Sequence, residues 1–280
     1  MRYTLAALAF LAVIAPPSPA QQPDEFPPDR VAVYKSLPGG DLRLHAFLPE
    51  NWSASDRRGA IIFFFGGGWT GGSPRQFFPH CKRLAELGMV AISAQYRTKE
   101  SHGTDPFACI EDGQSAIRWV RAHAAEWGID PKRVAAGGGS AGGHVAASTA
   151  TLLHLRNTDE DQSVSSVPDA LVLFNPVVDT TGRGYGAAKL GDRAMVASPA
   201  HHIRAGAPPA IIFHGTADTT VPFENVERFR AEMRKHGSAC EVVPYEGKAH
   251  GFFNYSRDKE MFADTMRRAE QFLRRHGYFE

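Results

Sequence analysis

Apolar and polar positions along this chain follow two rhythms in turn, one with period two and one with spacings of three and four. Val31-Ala32-Val33-Tyr34 and Leu42-Arg43-Leu44-His45-Ala46-Phe47 read as strands. Pro38-Gly39-Gly40-Asp41 supplies turn chemistry between them, so the pair is a hairpin. Residues 61–65 form an unbroken apolar run, the pattern of a strand covered on both faces. A glycine-rich loop follows over 66–72. Ser73-Pro74 then predicts a helix start, with Ser as cap and Pro at the first helical position. Leu87-Gly88 closes that helix, and residues 89–94 are the next buried strand. Over 107–127, Ile110, Gly113, Ile117, Val120 and Ala124 make one helical stripe. Asp130-Pro131 turns the chain, 133–136 is a short strand, and a helix of small residues runs from Ser140 to about Leu155. Strands are expected at 170–174, 210–213 and 240–243, and helices at 223–236 and 258–276. In the last helix Phe262, Met266, Ala269 and Leu273 share a face.

From residue 61 onward, strands and helices alternate. That order predicts an α/β fold, a mostly parallel sheet with helices on both faces, and the hairpin adds antiparallel strands at one edge. Weak periodicity and many Gly and Pro mark about 176–208 as a small insertion, a reduced cap. The reading is one domain over 31–280, a length that supports one large core.

Residues 1–20 change the picture at the N-terminus. Arg2 is their only charge, the stretch from Leu5 to Ala15 is almost wholly apolar, and Ser18-Pro19-Ala20 offers small residues before a cleavage point. This is the layout of a signal peptide, too short to span a bilayer, and it predicts a secreted or periplasmic protein. Residues 21–30, rich in Pro and acid, read as a loose leader. Lys and Arg number 31 against 30 Asp and Glu, and removing Arg2 leaves 30 against 30. A chain without charge excess has no general attraction for nucleic acid or anionic lipid. No stretch of the mature chain is long and apolar enough to predict a membrane span. Cys81, Cys109 and Cys240 are too sparse for a disulfide scaffold and read as buried thiols.

The chemistry concentrates in four places. Gly138-Gly139-Ser140-Ala141-Gly142 is G-x-S-x-G, between a short apolar strand and an Ala-rich helix. In that context a sharp strand-to-helix turn lifts the serine hydroxyl above the sheet edge and aims the Ala141 N–H at a substrate oxyanion. A serine hydroxyl needs a base, and His250, on the loop between the last strand and the last helix, is the candidate among 12 His. An acid should lie between the two in chain order. Asp218, in His214-Gly215-Thr216-Ala217-Asp218, is preferred over Asp179, which follows the strand ending at Phe174. Phe65-Gly66-Gly67-Gly68-Trp69 follows the first buried strand. Its consecutive glycines can turn N–H groups to a ligand, which makes Gly67 and Gly68 the further oxyanion donors. No Gly-Lys-Ser/Thr follows to make this a phosphate loop. Trp69, His144 and Phe252 are candidates to wall the pocket. His201, His202 and His214 form no metal-ligand pattern, and neither metal nor cofactor is expected.

These motifs resemble the esterase/lipase group of α/β-hydrolases related to hormone-sensitive lipase and to carbohydrate acetyl- and feruloyl-esterase-like enzymes. The resemblance runs from about residue 58 to the end. Gly66-Gly67-Gly68, Gln95-Tyr96-Arg97, Gly128-Ile129-Asp130-Pro131, Gly139-Ser140-Ala141-Gly142-Gly143, the His214–Asp218 segment and His250-Gly251-Phe252 carry it. It implies a serine esterase acting on small-molecule or polysaccharide esters, and a structural ion pair between Arg97 and Asp112. Short acyl chains suit the reduced cap. The chain departs from the group at Phe65, where His is usual, and at Gly139, where Asp is frequent. Two other readings differ in what they require. A prolyl-oligopeptidase-like peptidase carries a long extra domain that this chain lacks, and non-catalytic hydrolase-fold proteins usually lack a triad member.

Overall fold

The alternation closes into one sheet in the computed structural model of the protein, which describes residues 25–279. In chain order the strands are β1 (Arg30–Lys35), β2 (Leu42–Phe47), β3 (Arg58–Phe64), β4 (Val90–Ala94), β5 (Ile129–Gly139), β6 (Leu171–Phe174), β7 (Ala210–Gly215) and β8 (Cys240–Tyr245). Their order across the sheet is β1-β2-β4-β3-β5-β6-β7-β8. The two pairings of β2, with β1 and with β4, are antiparallel, and all others are parallel. The chain thus builds outward from β3 in one direction and then in the other. Loops leaving the C-terminal ends of β3 and β5 start side by side, with Phe64 paired to Gly138. An open parallel sheet binds its ligand at such a switch point.

Helices α1 (Phe78–Glu86), α2 (Lys99–His102), α3 (Pro106–Ala122), α4 (Ala141–Thr151), α5 (Ala187–Leu190), α6 (Phe223–Lys235) and α7 (Lys259–Arg275) complete the fold. Their starts follow the capping chemistry in the sequence. Ser73 accepts from the Arg75 N–H ahead of a 3-10 turn that leads into α1. Asp105 accepts from the Phe107 and Ala108 N–H groups with Pro106 behind it, and Asp258 accepts from the Met261 N–H of α7. Every side chain of β4, β6 and β7 is buried, which is why these strands read as apolar runs. Across the sheet edge, Arg97 Nε and Nη2 reach the two oxygens of fully buried Asp112 at 2.8 Å each, and Lys35 Nζ adds a third contact at 2.9 Å.

Four expectations change. Asp130-Pro131 does not turn the chain but lies inside β5, whose pairing with β3 is irregular between Arg58 and Ala60, so the missing Pro131 N–H is tolerated. The helix expected over 107–127 ends at Ala122, and the buried Trp127 belongs to the turn beyond it. α4 stops at Thr151, before a 3-10 turn over Leu153–Leu155. The leader is not loose over its described part. Phe26 packs edge-on against Tyr255 at 5.4 Å, the Asp29 N–H donates to Ala46 O, and Arg30 already belongs to β1. One aromatic ring anchors a segment whose composition otherwise resembles a linker. Residues 1–24, with the expected signal segment, lie outside the described residues. The insertion over 176–208 holds α5 and two 3-10 turns, Gly191–Arg193 and Pro199–His201. Cys81, Cys109 and Cys240 are free and buried.

Candidate active site

β5 ends at Gly139 and α4 begins at Ala141, so the chain must reverse direction within one residue. Ser140 does this with φ 54° and ψ −118°, a backbone state rarely adopted by a side-chain-bearing residue. Its N–H donates to Phe174 O at 3.0 Å, and its C=O accepts from the N–H groups of His144 and Val177. The strained conformation is thus over-determined from α4 and from the end of β6. Small neighbours are needed: a Cβ on Gly142 would run into the carbonyl oxygens of Phe64 and Phe65.

Two further loops meet this serine. His250, between β8 and α7, places Nε2 at 2.9 Å from Ser140 Oγ and Nδ1 at 2.7 Å from Asp218 Oδ2. Asp218, on the loop after β7, is 6% exposed while the imidazole is partly open to solvent. The other carboxylate oxygen accepts from the Thr220 and Val221 N–H groups at 2.9 Å each. His214 Nε2 lies 2.9 Å from Val221 O and 3.3 Å from Asp218 Oδ2. Burial opposes the charge on Asp218. Hydrogen bonds from His214, His250 and the Val221 N–H outweigh burial and hold the carboxyl well below the usual carboxylate range. Asp218 stays ionised, fixing Nδ1 of His250 as the protonated nitrogen and leaving Nε2 to accept from the serine. Asp179, the competing acid, lies elsewhere. It accepts from the Thr181 N–H and hydroxyl and faces Arg228 at 3.4 Å.

The glycine loop lies against the serine, and a Cβ on Gly66 would stand 3.4 Å from Ser140 Cβ. Gly67, at φ 138°, has its carbonyl capped by the N–H groups of Thr70 and Gly71. That turn polarises the Gly67–Gly68 peptide, whose N–H belongs to Gly68. Phe65, standing where the group usually has His, stacks on Tyr96 at 4.2 Å, and the Tyr96 hydroxyl donates to Phe65 O at 2.6 Å.

The three pocket candidates are buried, and Trp69 lines a cavity together with Gly68, Thr70 and Lys189. Trp69 is 2% exposed, and its indole N–H donates to His144 Nδ1 at 3.2 Å. His144 Nε2 donates to Ala197 O of the insertion at 2.8 Å. Burial pushes His144 down to about 4, against the hydrogen bond to Ala197, so the ring is neutral. Phe252 packs on Tyr245 at 4.7 Å. Sequence reasoning missed Gln76, Asn175, Lys189 and Asn254, which hold the loops in place. Gln76 Oε1 accepts from the Gly66 N–H, and Lys189 Nζ reaches Gly68 O at 2.7 Å. Asn175 Oδ1 accepts from the Gly251 N–H, while Asn254 Nδ2 donates to Gly251 O. None of the four lies in a recognisable motif; Lys189 and Asn175 reach backbone atoms far away in the chain, and Gln76 and Asn254 bind each other across 178 residues.

Sheet order, strained elbow and the Ser–His–Asp line together define an α/β-hydrolase of the serine-hydrolase class. The chain belongs to the BD-FAE family, whose model matches residues 44–184, and a dienelactone hydrolase family model matches residues 170–278. The apo form of Thermogutta terrifontis esterase 2 is 48% identical with a TM-score of 0.88, covering 93% of this chain and 99% of that one. A probable carboxylic ester hydrolase, LipM of Mycobacterium tuberculosis, is 35% identical over 231 residues, 74% of this chain and 52% of LipM. An acetylxylan esterase of Xylanibacter ruminicola is 27% identical over 230 residues, 76% of this chain and 44% of that enzyme. The chain spans about half the length of the curated relatives it matches.

Proposed function

We propose that this protein is a serine carboxylesterase that hydrolyses short-acyl esters through an acyl-enzyme, acetyl groups on carbohydrate among them. The observation that carries the proposal is the continuous line from Ser140 Oγ through His250 to Asp218, at 2.9 and 2.7 Å.

Ser140 Oγ adds to the ester carbonyl carbon as His250 Nε2 takes the hydroxyl proton. The carbonyl electrons move onto oxygen, and the N–H groups of Ala141, Gly67 and Gly68 hold the resulting oxyanion. Collapse re-forms the carbonyl and breaks the bond to the alcohol, which leaves with the proton from His250. Water then adds to the acyl-enzyme with His250 as base. A second collapse returns the proton to Ser140 Oγ and frees the acid. Asp218 stabilises the imidazolium at each stage without itself accepting the proton.

Replacing the nucleophile tests this directly. Ser140→Ala should lower kcat on p-nitrophenyl acetate by roughly 10^4- to 10^6-fold with the fold intact. A folded variant with normal turnover overturns the assignment.

Short acyl groups are supported by the small insertion and the buried aromatics around the elbow. Related structures of Thermogutta terrifontis esterase 2 are described as butyrate- and propionate-bound. Secretion or periplasmic residence rests on the apolar run after Arg2 and the small residues at 18–20. Mass analysis of exported protein should find a mature N-terminus near residue 21, and an intact Met1 on protein kept inside the cell would refute export.

A further inference from the structure

Phe65 leaves the glycine loop without the His that the group usually places before it, and the structure supplies another holder. The Gly66 N–H donates to Gln76 Oε1 at 2.6 Å. Gln76 Nε2 donates to Asn254 Oδ1 at 2.8 Å, across 178 residues of sequence. Asn254 Nδ2 donates to Gly251 O at 2.8 Å, and the Gly251 N–H donates to Asn175 Oδ1 at 2.9 Å. Two side-chain amides in series therefore join the loop proposed to hold the oxyanion to the residue immediately after His250.

The direction of this chain is forced. A peptide N–H at one end requires an amide oxygen, and a peptide C=O at the other requires an amide nitrogen. Between them the amides must alternate oxygen and nitrogen, since turning either one would set two donors or two acceptors face to face. The amide accepts at one end and donates at the other, whereas a carboxylate has no hydrogen to donate and a thioether has no donor at all, so neither Glu nor Met keeps both bonds of Gln76. Gly66 lies against Ser140 Cβ, and the oxyanion donors follow it directly in the chain. A shift of Gly66 is therefore passed to the donors. Such donors work only when fixed in advance of the reaction.

We propose that Gln76 is a positioning residue that, acting through Asn254, sets the spacing between the oxyanion-holding loop and the His250 loop. The proposal rests on the serine-esterase reading above and goes beyond it by assigning what aligns the two halves of the site.

The test uses the whole protein with Gln76→Met, which keeps the length and removes the amide, Asn254→Ala, and the double variant. The strut predicts that each single variant loses kcat by about 10- to 100-fold, with KM changed by less than about twofold. The double variant should lose no more than the worse single. Affinity for a methyl trifluoromethyl ketone, whose adduct with serine carries an oxyanion, should fall in step with kcat/KM, while affinity for the product carboxylate stays constant. Multiplying losses in the double variant, or unchanged kcat in both folded single variants, overturns the strut. If Gln76→Met does not fold, Asn254→Ala reads the same strut from its far end. A Ser140→Ala protein that binds the ketone as tightly as wild type would instead strike the serine reading on which the proposal stands.

Discussion

His80, on α1, is fully buried, and neither ring nitrogen has a hydrogen-bond partner among the described residues. The rings of Phe63, Phe77, Phe174, Phe253 and Phe262 surround it. Burial pushes its pKa down to about 3, so the folded protein holds it neutral. An unfolded chain binds that proton near pH 6.5. Between these values the unfolded state carries more protons, so stability rises with pH. The neutral ring's contribution is complete above pH 6.5 and is lost as pH falls toward 3. His80→Phe removes this dependence. Its stability advantage over wild type should grow by about 2 kcal/mol between pH 7 and pH 5. Thermal or urea unfolding at the two pH values checks this, and a difference independent of pH refutes it. His144 carries the same burial but donates to Ala197 O and accepts from Trp69, so there the ring serves as a tie. Nothing in the sequence around either His distinguishes these fates. At Gly139 the environment is more explicit: a Cβ would meet Phe253 Cζ at 2.5 Å, which explains why Asp, frequent in the group, is absent here.

Among the elements, the insertion is the one on which the proposed short-acyl preference rests. It is built of one short helix and two 3-10 turns and is tied to the body at several points. Lys189 holds Gly68 O and the Thr70 hydroxyl, Arg193 pairs with Asp105 at 2.7 Å, and Ala197 O accepts from His144. A short, tethered segment buries little apolar surface over the site, and each buried methylene of a long acyl chain is worth about 0.8 kcal/mol only where such surface exists. On p-nitrophenyl esters, kcat/KM should peak among acetate, propionate and butyrate and decline by octanoate. A maximum at decanoate or longer refutes the short-acyl assignment. The long elements around the insertion were legible in sequence because their period repeats over many residues. β2 was read to the residue, and α7 was placed to within a residue at each end. Boundaries failed where a local signal met a tertiary one. Pro131 reads as a turn, yet pairing with β3 carries β5 through it. α2 is four residues long, too short to leave a period.

Across the whole molecule, Ser140, Asp218 and His250 stand on loops after β5, β7 and β8, and only the sheet brings them together. Their identities were nonetheless readable, because a nucleophile elbow needs small residues at fixed offsets and the parallel sheet fixes where its partners emerge. The sequence by itself therefore determined the fold class, the chain order of the three groups and the glycine loop beside them, all of which depend on short-range pattern. Tertiary structure alone decided that the His144 ring ties Trp69 to the insertion, and that Gln76 and Asn254 link two loops. Those outcomes depend on hydrogen bonds between atoms distant in sequence, many of them backbone atoms, which no residue type announces.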